Sequence, residues 1–402
     1  MPAVKRQSRR LLPWAVAIIV IAAATYATYT AHAIPLFARK HNLPCTACHT
    51  VPPMLNARGQ DFWQRGYRLA PDSDLPTLAT APVAAWLTVR QEDRLDAGFG
   101  EGYLTRAELI SGGPIGENMS YFIEWRIGSL ESRGDGTLRD RSGRFEDAYF
   151  NWQPTDRFQF AAGQFRAINQ IDVSRRLSIS EPIVFSTSLP GDPGASSRIT
   201  SLRVFSPSGR QPGLLFQYQS IKGESEADGL FNSVVLPFVG EWSIPLTPEA
   251  HAEASFVSQG PPKGAFLETY YRHDLNSIGA QAFIDDDRWL FTTVATVNYA
   301  APRLTEHVYV TAALGWDDSE RTPLRRRSSV EVLYLPVPPT HDWLRPGVGF
   351  RAERVTGPGT APAYIPFVVL SGPNESYTFL TQIEYRHQDD NRSFILDVSL
   401  IF

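Results

Sequence analysis

The chain ends on a strict two-residue rhythm. Phe394, Leu396, Val398, Leu400 and Phe402 fall on one side of an extended backbone, and Ile395, Asp397, Ser399 and Ile401 on the other. Period two is the signature of a β-strand with two unlike faces. The same rhythm separates Tyr121, Ile123, Trp125 and Ile127 from Phe122, Glu124, Arg126 and Gly128. It separates Ala148, Phe150 and Trp152 from Tyr149, Asn151 and Gln153, and Phe379, Thr381, Ile383 and Tyr385 from Leu380, Gln382, Glu384 and Arg386. From about residue 80 onward such segments, each of about ten residues, alternate with turn residues, and no apolar run there is long enough for a membrane helix. The reading is an all-β chain, a transmembrane antiparallel β-barrel. A propeller would show a repeat of about 40–50 residues, and none is visible. Aromatic residues near the strand ends (Tyr121, Trp125, Phe150, Trp152, Tyr377 and Tyr385) suit the girdles of a membrane barrel better than a soluble sandwich. After residue 75 roughly 325 residues are left, enough for about 16 strands, within a range of about 14–18. Gly112–Asn118 reads as a short turn. The irregular stretch Ile168–Ser197 is long enough to have a function of its own, folded into the lumen or capping the outside.

The first 33 residues are of another kind. Lys5, Arg6, Arg9 and Arg10 precede an apolar run from Leu11 to Ala24, and Ala31-His32-Ala33 forms an A-x-A site. Residues 1–33 are therefore expected to be a cleaved signal peptide, with an uncleaved membrane anchor as the alternative. Without them the 38 basic side chains fall to 34 against 42 acidic ones, a net charge of −8. A mildly acidic body argues against nucleic acid as a partner.

The chemistry sits in residues 34–75. Cys45-Thr46-Ala47-Cys48-His49 is a C-x-x-C-H, the attachment sequence of a c-type haem, and it holds both cysteines of the chain. Cys45 and Cys48 would form the thioether links and His49 would be the proximal iron ligand, so one covalent haem c is the expected cofactor. The distal ligand is open between Met54, His41, a barrel histidine (His251, His273, His307, His341 or His387), Met119 and water. Residues 56–67 read as a short helix ending near Gly66, with Phe62 and Trp63 available to a haem face. A segment of about 40 residues cannot bury a haem and a core by itself. Only the remainder of the chain, residues 76–402, can shelter it, and a wide barrel is empty unless filled. The expectation is a small helical c-haem segment plugging the lumen. Asp285-Asp286-Asp287, Asp317-Asp318 and Asp389-Asp390 suit ordinary loop solvation better than Fe²⁺ capture, and Arg325-Arg326-Arg327 suits acidic lipid headgroups.

Residues 33–67 resemble the fused outer-membrane cytochrome–porins, whose best-known members oxidise ferrous iron. Ala33, Pro35, Phe37, Ala38, Arg39, Cys45, Cys48, His49, Pro53 and Leu55 match that family's pattern, and Lys40-His41-Asn42 departs from it. Glu146–Phe150 and Ala162–Phe165 resemble strands of the large porin families, and the terminal Phe402 resembles the closing aromatic of outer-membrane barrels. The resemblance implies a single haem inside a barrel of the bacterial outer membrane. It would act as a ferrous-iron:cytochrome c oxidoreductase, taking electrons from Fe(II) or another extracellular donor and passing them to a periplasmic c-type cytochrome or other soluble carrier. The alternative reading is a porin for small solutes in which the haem segment is a plug or sensor.

Overall fold

Sixteen strands close into one antiparallel barrel in the computed structural model. It describes residues 36–69, 83–166, 177–184, 210–237, 242–245, 253–256 and 264–401, apart from short stretches within them. The strands are β1 (Val83–Arg94), β2 (Phe99–Pro114), β3 (Met119–Gly128), β4 (Arg144–Trp152), β5 (Phe158–Arg166), β6 (Arg210–Lys222), β7 (Gly229–Pro237) and β8 (Gly264–His273). They continue as β9 (Asn276–Asp285), β10 (Arg288–Ala300), β11 (His307–Ser319), β12 (Thr322–Leu335), β13 (Arg345–Val355), β14 (Ala363–Pro373), β15 (Thr378–Gln388) and β16 (Asn391–Ile401). Each pairs with its sequence neighbours, and β16 returns to β1, from Ser393 opposite Arg94 to Ile401 opposite Trp86. Closure leaves no edge strand. The strand number agrees with the expected value. Gly112–Pro114 belongs to β2, so the turn expected over Gly112–Asn118 is only 115–118. The expected signal peptide, residues 1–33, lies outside the described residues.

The two mouths differ. At one, every connection is short, the longest being 336–344. The other carries the long connections 129–143, 167–209 and 238–263, two of which contain small hairpins (Leu130–Ser132 with Leu138–Asp140, and Trp242–Pro245 with Glu253–Phe256).

The alternation sets the two surfaces. Ile127, Leu267, Val297, Leu314, Val330, Val348 and Phe350 point outward and are exposed. Such a belt is stable against lipid, not water. Among the described residues no helix is long and apolar enough to cross a membrane, which says nothing of a strand barrel. The opposite register lines the lumen and is polar. Arg90 and Asp397 form a two-point pair at 2.7 and 2.8 Å. Arg126 bridges Glu108 at 2.7 Å and Glu146 at 3.0 Å. Arg327 is almost fully buried in this interior. That corrects the lipid-headgroup expectation for this residue: its odd-numbered register in β12 turns it inward with Ser329 and Glu331.

Candidate functional site

The N-terminal segment lies in the lumen toward the short-turn mouth. It consists of helix α1 (Leu36–His41), a 3₁₀ turn (Cys45–Ala47), a hairpin (His49–Val51 with Met54–Leu55) and helix α2 (Ala57–Gln64). The expected helix is present but ends sooner, at Gln64. Asn56 caps α2 by accepting from the Gly59 N–H at 2.9 Å, and its amide donates to the Ala47 carbonyl. Asn56 N also donates to the Cys48 carbonyl at 3.0 Å. One asparagine thus ties the helix to the C-x-x-C turn. Gly59 makes the approach possible, because a Cβ there would lie 2.0 Å from the Cys48 carbonyl oxygen. Gly66 and Tyr67 both take positive φ, 66° and 63°, and fold the exit back over α2. Tyr67 then stacks between Phe37 of α1 and Phe122 of β3, each with ring centroids 4.9 Å apart. Phe62 packs on Phe37, His41 and Tyr67 and so belongs to the segment's own core. The hairpin had no sequence signal of its own.

Contacts to the wall come from all round the barrel. Gln64 donates to Gln217 of β6 at 2.5 Å, and the Tyr67 and Tyr149 hydroxyls are 3.1 Å apart. Arg272 of β8 donates to Gln60, and Arg345 of β13 donates to the Thr50 carbonyl at 2.6 Å. The Cys45 thiol meets the Thr378 hydroxyl of β15 at 3.7 Å. Val51 is buried with Tyr309, Leu333, Leu335, Phe367, Val369 and Leu380, and Met54 packs against the same group. These wall residues stand in the lumen register, where a water-filled channel carries polar side chains. Gly349 lets the Phe367 ring lie flat across β13, since a Cβ there would be 2.0 Å from the ring.

A second element enters from the opposite mouth. Residues 177–184 of the long connection after β5 reach into the lumen, which answers for these residues the choice between constriction and cap. Ile179 N and Ser180 N both donate to Glu384 at 3.0 Å, and the Ser180 hydroxyl donates to the same carboxylate. Ser178 donates to Glu331, Ile183 N to Glu353 at 2.8 Å, and Gln382 to the Leu177 carbonyl. Arg351, with no exposed side-chain surface, pairs with Glu331 at 3.2 Å and Glu353 at 2.9 Å. Leu177 joins the Val51 group, so the loop and the N-terminal segment meet there.

His49 Nδ1 donates to the Pro53 carbonyl at 3.2 Å, since a carbonyl only accepts. Burial pushes both thiols up, with Thr378 opposing it at Cys45 and the Arg58 charge opposing it at Cys48. His41, the other local ligand candidate, lies edge-on to Phe62 at 5.6 Å. His307 stands at the start of β11, stacked beside Tyr309 at 6.0 Å. Among the described residues no three His, Cys, Asp or Glu side chains gather to hold a bare metal ion.

The architecture is that of a porin barrel. The chain is similar to an anion-selective porin from Comamonas acidovorans, with a TM-score of 0.53 and 7% identity over 80% of this chain and 98% of the other. It is also similar to Pseudomonas putida OprB, with a TM-score of 0.50 and 11% identity over 86% and 96%. At these identities the likeness defines the fold. No protein-family model matches the chain, and no curated protein matches it.

Proposed function

We propose that this is a plugged porin-type barrel of the bacterial outer membrane whose plug carries one covalent haem c and passes electrons across the membrane. Fe(II) is the first candidate donor on the outer side, and a periplasmic c-type cytochrome or other soluble carrier the acceptor. The observation that supports it is the position of the C-x-x-C-H turn beside an apolar shelf of the lumen wall. A water-filled pore gains nothing from Leu333, Leu335, Phe367 and Leu380 facing inward. A buried redox group gains a dry surround.

The residues fit such a group. Cys45 and Cys48 lie on one turn, closed by the Cys48 N–H to the Cys45 carbonyl at 3.2 Å. The Pro53 carbonyl holds the Nδ1 proton of His49, which makes Nε2 the nitrogen for an iron and fixes the ring. A haem bound there supplies one-electron exchange. The chain's own part is to hold the histidine in one tautomer, exclude water with the Val51–Leu380 shelf, and close the lumen from both ends. Met54 packs against that shelf and stays a distal candidate, with His41, His273, His307, His387 and Met119 the others among the described residues.

The second reading is a solute channel with the N-terminal segment as plug. The likeness to porin barrels backs it more directly than it backs electron transfer, because that likeness concerns the barrel alone. The two are separated by one preparation. Protein extracted from outer membranes should keep haem on its own polypeptide after denaturation, and Cys45→Ser with Cys48→Ser should abolish it. A colourless wild-type protein that conducts ions as an open pore would select the solute channel.

A further inference from the structure

Beside the plug, at the short-turn mouth, lies a half-open cavity of about 670 Å³. That is the size of a small-molecule site. It runs between the end of α2, the turns 115–118 and 153–157, and strands β5 to β7. We propose that it binds a small organic or inorganic anion of the carboxylate or phosphate class.

Its charge is the first reason. Arg65, Arg68 and Arg157 line the cavity, with Glu117 and Asp156 as the acids. Asp156 is taken by Lys222 at 2.7 Å. Arg68 donates Nε to the Arg65 carbonyl at 3.0 Å, one terminal nitrogen to the Glu117 carbonyl, and the other to the Gln153 amide oxygen at 3.0 Å. All three acceptors are neutral. Among the described residues no carboxylate lies within ion-pair distance of Arg68 or Arg157. A guanidinium keeps its charge at any ordinary pH and has five N–H donors, so Arg68 holds charge and donor capacity in reserve. It is partly buried, which penalises that charge.

The second reason is a rigid floor. Gln153 donates to the Gln64 carbonyl at 2.6 Å, Gln64 to Gln217 at 2.5 Å, and Gln217 to Ser233 at 3.0 Å. This chain of amides fixes the lining before any ligand arrives. Of the two aromatic rings in the lining, Phe158 and Phe231, the second is stacked on Tyr270 at 4.7 Å. Arg68 belongs to the plug and Arg157 to the wall, so a bound anion spans the two and fastens the plug by mass action. The site needs only the plug's position and is independent of any haem.

The test uses the full-length protein in detergent at low ionic strength, titrated calorimetrically with succinate, inorganic phosphate and maltose. Saturable binding of succinate, phosphate or both is expected, and the preferred anion identifies the class. Arg68→Gln and Arg157→Gln should each weaken it about tenfold or more. Arg157→Gln lies on an exposed turn and keeps the test valid if Arg68→Gln loosens the plug; barrel folding of both is checked by heat-modifiable electrophoretic mobility. Absence of saturable anion binding by folded wild-type protein, unchanged affinity in folded Arg157→Gln, or binding of maltose alone would overturn the proposal. Haem content is measured on the same sample, so a failure of the electron-transfer reading is seen separately.

Discussion

Gly59 is the residue on which the site's assembly turns most sharply. Any side chain there collides with the Cys48 carbonyl oxygen, which lies 2.0 Å from a Cβ position. Gly59→Ala is expected to destabilise the plug by about 1–3 kcal/mol, the cost of overpacking. Protease cleavage within residues 43–69 of the purified protein should rise accordingly, with the barrel still intact on a gel. The two thiols make a second prediction. Alkylation needs the thiolate, and burial raises the pKa of both, so in folded haem-free protein they stay neutral at pH values where an unfolded thiol has begun to ionise. Labelling should therefore lag the denatured chain at pH 8 to 9, the ordinary thiol range, and catch up only at higher pH; equal rates across that range would contradict the burial. The C-x-x-C-H turn was legible because its residues are neighbours in the sequence. The Pro53 contact that orients His49 was not, because a backbone carbonyl leaves no mark on the sequence. Phe62, available to a haem face by its sequence position, packs on Phe37, His41 and Tyr67, since Gly66 and Tyr67 fold the chain back over it.

The long connection after β5 and the strands it touches act as one element. Glu384 accepts two backbone N–H groups and a hydroxyl from this loop. Hydrogen bonds to a charged group contribute about 1.5–3 kcal/mol each. Glu384→Gln removes the charge with little change of shape and should loosen residues 177–184. A cysteine placed at Ser180 should then react faster with a water-soluble thiol reagent added from the long-loop side, by about tenfold or more. An unchanged rate would mean that the Glu331 and Glu353 contacts hold the loop without Glu384. The barrel was legible because period two runs through segments such as those of β4, β15 and β16, and the loop was legible by length. Where it lands was not: its partners Glu331, Glu353 and Glu384 lie in β12, β13 and β15, each in a polar register that any lumen residue shares. Leu333, Leu335, Phe367, Val369 and Leu380 put apolar side chains in the lumen register, which marks where a barrel is filled.

At the scale of the whole molecule, a barrel of sixteen strands holds two inserted segments, one from each end of the lumen, and they meet at Val51 and Leu177. A barrel of this size encloses an aqueous channel when nothing fills it. Deleting residues 34–75 should therefore turn a nearly silent protein into one with measurable conductance in planar bilayers, still narrowed by residues 177–184, while the full chain stays silent. The barrel class and strand number followed from rhythm and length; the crevice beside the plug did not, because it is built from turns and helix ends far apart in the chain. The central claim is that the closed lumen carries electrons, not solutes. It is tested most directly with full-length protein in liposomes that enclose oxidised cytochrome c, with Fe(II) added outside. The account predicts that the plug's haem absorbance shifts to its reduced form and the enclosed cytochrome becomes reduced while the liposomes stay tight to ions. Liposomes that leak ions, with no haem absorbance and the enclosed cytochrome still oxidised, would contradict it.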